Sequence, residues 1–290
     1  MTQQEFGDAA LVVLGHGSTK NADSEKPVLQ HAAELARRNI FAVVRPAFWK
    51  QEPRVNEVLG SLTQDRVFIS PFFVSEGYFS DEVIPTELGF RLPGQIALTR
   101  MVLRGKQRLY YCRAVGTHES MTQVLLARAR QVLLQFPFPR APREGETTVF
   151  VAGHGTEQND NSRKIIERQA ELLQQLQIFA AVHAVFMEEE PGIPRCYELA
   201  QTRNIVVVPF FISDGLHAQE DIPVLLGAPE RLVRERLAAG RTAWRNPTER
   251  QGKLVWYTPS IGSEPHLADV ILESVREVAP ADGPTLHRTG

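Results

Sequence analysis

The sequence predicts an α/β fold built twice: two tandem domains, each a four-stranded parallel sheet flanked by helices. Three observations carry this. Short apolar, β-branched runs alternate with segments of helical spacing, the order that gives parallel sheets with right-handed crossovers. The order then starts again after a break rich in proline and charge, residues 136–146 (FPFPRAPREGE). Finally, fixed residues recur at a constant offset of 138: His16 and His154, Phe48 and Phe186, Pro53 and Pro191, Pro71-Phe72-Phe73 and Pro209-Phe210-Phe211, Gly77 and Gly215, Pro85 and Pro223. By the last strand the offset is 146, from Gly116 to Gly262, so the second copy carries a short insertion. Agreement at so many fixed positions marks an internal repeat, divided as residues 1–140 and 141–290.

In the first copy, residues 11–14 (LVVL) read as a buried strand running into Gly15-His16-Gly17-Ser18. Residues 24–39 place Leu29, Ala32, Ala33, Leu35 and Ala36 on one helical face. A strand follows over 41–48, a helix opened by Pro53 over 53–62, and a strand over 67–74. The loop SEGYFSDEVIP and a basic segment to Arg108 lead to a fourth strand over 109–115 and a helix over 121–134. In the second copy the strands are 149–153, 180–187, 205–212 and 254–261, and the helices 162–176, 194–201 and 267–278. The tail ADGPTLHRTG is expected to fray.

Composition excludes several classes. With 43% apolar and 23% charged residues the chain is that of a soluble globular protein. A net charge of −2 gives no basis for bulk nucleic-acid binding. No apolar run approaches the roughly 20 residues that span a bilayer, and MTQQEFGDAA lacks the basic start and apolar core of a signal peptide. Cys112 and Cys196 form no CxxC pair, which fits a reducing cytoplasm and argues against a thiolate zinc site.

In an open parallel sheet, ligands bind beyond the carboxyl ends of the strands. In the second copy each such end presents a group able to bind a divalent metal: His154 after the first strand, Glu188 after the second, His217 in the loop after the third. Two imidazoles and a carboxylate suit Fe²⁺, Co²⁺, Ni²⁺ or Zn²⁺, with a position left open for a substrate. The acidic member is open among Glu188, Glu189 and Glu190, because the MEEEP loop is tight. The glycines beside His154 fit a sharp turn, and the amides from Thr156 to Asn161 open a helix that favours anions. The first copy keeps His16 but has Lys50 for Glu188, Phe79 for His217 and Val83 for Asp221. The fold-bearing residues survive there while the ligand set does not. Asp221 reads as a cap on the helix that begins near Pro223. His183 lies within a strand and, with His31, His118, His266 and His287, reads as packed or exposed.

The GHG turn, the F-M-E…P run and the P-F-F-x-x-x-G-x-H-x-x-x-D-I-P loop resemble the class II chelatases of the CbiX/SirB group. The resemblance covers both halves and implies two flavodoxin-like or chelatase-like domains with a cleft between them. It further implies ATP-independent insertion of a metal into sirohydrochlorin or a related tetrapyrrole, with no organic cofactor. The metal, Co²⁺ or Fe²⁺ with Ni²⁺ possible, is then a substrate. The group's two histidines map onto His154 and His217 and its acidic residue onto Glu188. Many two-domain members are expected to carry the site in the N-terminal half; here it is in the C-terminal half. Insertion removes two pyrrole protons, and a histidine can hold a metal or accept a proton. The ring's carboxylates call for donors, for which Arg163, Lys164 and the segment from Arg231 to Lys253 are candidates, with His16 facing the cleft. The rival reading is a metal or tetrapyrrole carrier without turnover; a hydrolase is remote, since no GxSxG elbow occurs. A cytoplasmic monomer with an internal pseudo-dimer, or a weak homo-oligomer, is expected.

Overall fold

The computed structural model describes residues 5–18, 24–92, 94, 97–155 and 161–280. The tail 281–290 and residues 156–160, which the sequence assigns to an anion-favouring helix start, lie outside the described residues.

The first sheet contains β1 (Phe6–Gly15), β2 (Phe41–Phe48), β3 (Arg66–Pro71), β4 (Met101–Arg104) and β5 (Gln107–Tyr111), in the order β2-β1-β3-β5-β4. The second contains β6 (Thr147–Gly153), β7 (Ala181–Phe186), β8 (Asn204–Pro209), β9 (Thr248–Arg250) and β10 (Lys253–Tyr257), in the order β7-β6-β8-β10-β9. Every residue of β6 is buried, as a central parallel strand covered on both faces requires. The two sheets share a register: Gly15 pairs with Phe48 and Gly153 with Phe186.

The expected α/β class holds, but each sheet has five strands rather than four. The extra strands, β4 and β9, run antiparallel at one edge. Sequence patterning misses them because an exposed edge has little to bury: β4 reads MVLR with none of its residues buried, and β9 is only TER. Their hairpins are the legible part. Gly105 has φ 63°, and Gln251 and Gly252 have φ 48° and 74°, the left-handed conformations that two-residue hairpin loops demand.

Helices α1 (Lys26–Arg37) and α5 (Asn161–Gln175) bury the same stripe. In α1 it includes Val28, His31, Ala32 and Leu35; in α5 it is Ile166, Gln169, Ala170 and Leu173, the i, i+3, i+4, i+7 spacing of one helix face. Short helices α2 (Val55–Ser61), α3 (Ile84–Glu87), α6 (Cys196–Leu199) and α7 (Ile222–Leu225) follow the strand ends. The insertion in the second copy is α8 (Glu230–Ala238). No helix of the described residues is long and apolar enough to cross a membrane.

The last helices of the two copies, α4 (Met121–Gln135) and α9 (Leu267–Val278), are exchanged. Helix α4 packs on β8, β10 and α5 of the second copy, and α9 packs on β3 and α1 of the first. The Trp256 indole donates to Phe136 O at 2.9 Å, tying the second sheet to the end of α4. One apolar cluster therefore holds residues of both halves, among them Phe68, Leu125, Val206, Trp256 and Ile271. The repeat divides the sequence near residue 140; the core runs across that division.

Leu125 is fully buried in the shared cluster. Leu125→Ala is expected to cost about 2–5 kcal/mol. Both halves should then melt in one transition at lower denaturant, followed by circular dichroism and tryptophan fluorescence; two separate transitions would contradict the shared core.

Candidate functional site

Both copies turn sharply where the first strand ends. Gly17 and Gly155 have φ 76° and 70°, conformations that a Cβ disfavours. The turn sets each histidine's ring against the next glycine. Nδ1 lies 2.8 Å from the carbonyl oxygen in the His16–Gly17 pair and 2.6 Å in His154–Gly155. A carbonyl only accepts, so Nδ1 carries the proton and Nε2 keeps a lone pair. The loop after the second strand docks on the same backbone: Lys50 N donates to His16 O at 2.8 Å and Glu188 N to His154 O at 3.0 Å.

The third strand brings in His217, whose ring centroid lies 4.9 Å from that of His154, edge to face at 81°. His217 opens a π-type turn, His217–Asp221. One turn on, Asp221 Oδ2 accepts from His217 Nδ1 at 2.7 Å, which leaves the lone pair on Nε2 and fixes the ring. The reading of Asp221 as a cap is corrected here: at the head of α7 it makes no capping hydrogen bond. The legible signal was the H-x-x-x-D spacing, which puts both side chains on one helical face; the nearby proline drew attention to capping instead.

The first copy repeats this layout with the ligands replaced. The Phe79 ring lies 4.6 Å from that of His16, edge to face at 72°, and Lys50 Nζ is 5.0 Å from the Phe79 centroid. His16 Nε2 is buried without a partner. Burial, aided by the Lys50 charge and opposed by the Gly17 carbonyl, holds the His16 pKa below the ordinary histidine value.

The three glutamates left open by the sequence separate in space. Glu188 Oε2 lies 3.6 Å from His154 Nδ1, and its side chain is 59% exposed. Glu189 is nearly buried and paired with Arg163 at 3.0 Å. Glu190 accepts from Gly192 N and lies 3.7 Å from Arg195. Glu188 is thus the one beside the histidine, but it approaches Nδ1 rather than the lone-pair nitrogen. Among the described residues, no three His, Cys, Asp or Glu side chains stand at metal-binding spacing. The site offers two imidazoles with a flanking carboxylate on each.

Arg163 is engaged: it pairs with Glu189 and Glu167 and lies over the Phe186 ring at 5.3 Å, so it braces the second-strand loop. Lys164 is exposed on the same helix. His183 stacks on Phe150, with ring centroids 5.4 Å apart, and His31 is buried. His118 and His266 lie beside glutamates away from the pair, and His287 is outside the described residues. Asn161 Nδ2 donates to Glu76 O at 3.4 Å, so the strand-end loops of the two copies meet. Beside them Tyr78 and Leu216, equivalent in the repeat, are 65% and 66% exposed.

The His217 loop is backed by a close approach. A Cβ on Gly262 would lie 1.7 Å from Ile212 O, and one on Gly116 would lie 2.1 Å from Val74 O. His31 of the first copy donates from Nε2 to Gly262 O at 2.8 Å, and Asp214 accepts from Ser260 N at 2.7 Å.

The doubled α/β fold is that of two-domain chelatase structures. Over 91% of this chain it superposes on DR2241 from Deinococcus radiodurans, a multi-domain protein described as structurally similar to chelatases, with a TM-score of 0.74 and 25% identity; the chain spans 54% of that protein. The fold also matches SirB from Bacillus subtilis with Fe³⁺, with a TM-score of 0.64 and 19% identity, over 93% of this chain and 95% of that one. The chain belongs to the CbiX family, whose model matches residues 10–132 and again 148–278. It is 38% identical to a probable sirohydrochlorin cobaltochelatase of Halobacterium salinarum, over 94% of this chain and 93% of that one. A sirohydrochlorin cobaltochelatase of Methanopyrus kandleri is 28% identical over 44% of this chain and 94% of its own length.

Gly262→Ala must push the Ile212 backbone and hence the loop bearing His217. It is expected to weaken Co²⁺ binding about 10–100-fold, read from the visible spectrum of the bound ion. Gly116→Ala, which displaces the Phe79 loop instead, should leave Co²⁺ binding near wild type.

Proposed function

We propose that this chain is a metal chelatase that inserts a divalent first-row ion, Co²⁺ or Fe²⁺, into sirohydrochlorin or a closely related tetrapyrrole without ATP. The carrying observation is the His154–His217 pair, with centroids 4.9 Å apart, in which each Nδ1 is spent as a donor and each Nε2 keeps its lone pair. The names of the Halobacterium and Methanopyrus relatives support the substrate. The sequence has no P-loop for a nucleotide, which supports ATP independence.

The residues divide the work as follows. The two Nε2 atoms would first hold the incoming ion on one face of the ring; as the ring nitrogens take the ion over, each freed Nε2 lone pair accepts one of the two departing pyrrole protons. An imidazole lone pair suits either task in turn. Asp221 positions His217 and stabilises it when protonated, as a carboxylate behind a metal-bound histidine does. Glu188, on the Nδ1 side of His154, relays protons to solvent or balances charge rather than closing the ligand set. Tyr78 and Leu216 offer apolar contact to the flat face of the macrocycle, and the meeting strand-end loops frame its cleft. Lys164 and His16 remain candidate contacts for the ring's carboxylates.

The test is anaerobic insertion of Co²⁺ and, separately, Fe²⁺ into sirohydrochlorin, followed by its visible spectrum. His154→Ala and His217→Ala should each lose about 10²-fold or more. Asp221→Asn should lose about 10–100-fold, while His16→Ala keeps most of the rate. Wild-type turnover no faster than the spontaneous background, with the ring still bound, would overturn the chelatase reading and leave a carrier.

A further inference from the structure

A cavity of about 650 Å³ lies at the C-terminal end of β10, next to the loop that carries His217. Its volume is that of a small-molecule site. Asp214, Ala218 and Gln219, from the loop that carries His217, form one wall. The exchanged helix α4 forms another through Arg128, and the insertion helix α8 and the segment behind it close the rest. The first copy has no counterpart of α8 among its described residues. The copy that keeps the paired histidines is therefore the copy that builds this cavity.

Its charge is unbalanced. Arg128, Arg236, Arg241 and Arg245 line it. Most arginines of the chain pair with a carboxylate, as Arg163, Arg195 and Arg276 do. Among the described residues none of these four has a carboxylate within ion-pair distance. Arg128 is 6% exposed, and its guanidinium donates only to neutral acceptors: Ser260 O, Gln131 Oε1 and Ser263 Oγ. Arg236 Nε donates to Thr242 O. Two carboxylates, Glu264 and Asp214, act on Arg128 from beyond ion-pair distance, and Asp214 is the one carboxylate in the lining, against four guanidiniums. That imbalance leaves the lining with excess positive charge, which a bound anion would offset. Trp244 and Tyr257 add an aromatic wall, which fits an organic anion better than a bare inorganic one.

We propose that this cavity binds a multiply carboxylated organic anion, with the four arginines as carboxylate donors and Trp244 and Tyr257 against its apolar body. Because the cavity shares the 214–219 wall with the histidine loop, an occupant would also steady His217. Choosing a macrocycle as one probe rests on the chelatase reading; the cavity's charge and shape do not.

The test is calorimetric titration of the metal-free protein with two probes, uroporphyrin and citrate. Wild type is compared with Arg241→Gln/Arg245→Gln, which alters exposed side chains, and with Arg37→Gln/Arg276→Gln, which removes the same charge from ion-paired positions away from the cavity and so controls for net charge. The cavity variant should bind at least one probe about tenfold or more weakly, the control variant should bind as wild type does, and melting temperatures should agree. Weakened uroporphyrin with no citrate binding assigns the cavity to the macrocycle's own acidic arms. Weakened citrate assigns it to a free polycarboxylate. Equal affinities in all three proteins for both probes overturn the proposal. No metal or turnover enters, so a wild type that inserts no metal would defeat the chelatase reading without touching this result.

Discussion

The exchange of α4 and α9 is the constraint on which the rest depends. Each sheet leaves an apolar face that its own copy does not cover, and the last helix of the other copy covers it. Burial of that area supplies most of the driving force for joining the halves. It also fixes the details of the site. Arg128 on α4 reaches Ser260 O, and His31 on α1 holds Gly262 O. Both carbonyls belong to the turn that presses on the His217 loop. The geometry of the second copy's histidines is thus held in part by side chains from the first.

Duplication explains why the two halves look alike and act differently. The strand-end register, the GHG turn and the positions of the helix stripes repeat between the copies. Within that frame Phe79 occupies the place of His217 at nearly the same distance and tilt, and Lys50 stands where Glu188 does. An aromatic ring keeps the packing of an imidazole and gives up its nitrogens. Lys50 adds a positive charge beside His16, which disfavours a bound cation there. The first copy is accordingly proposed as a scaffold that helps cover the ring, and the second as the metal-handling half.

Much of this was legible in the chain. The 138-residue offset gave the doubled sheet, and a strand-end rule brought His154, Glu188 and His217 to one edge. Spacing alone could not decide which nitrogen faces which carboxylate. Glu188 lies on the Nδ1 side of His154, and Arg163, expected to meet the substrate, is held by Glu189. The edge strands escaped because a three- or four-residue exposed strand carries no burial pattern. The helix exchange escaped for a different reason: α4 and α9 bury the same kinds of residue whichever sheet they cover, so the sequence holds no mark of the choice.

The most direct test of one metal-handling site in a duplicated fold is the Co²⁺ stoichiometry of the protein, by equilibrium dialysis, before and after restoring the first copy. Wild type should hold one equivalent. Lys50→Glu/Phe79→His/Val83→Asp, which gives the first copy the second copy's side chains, should hold two. Two equivalents in the wild type, one of them lost in His16→Ala, would contradict the account.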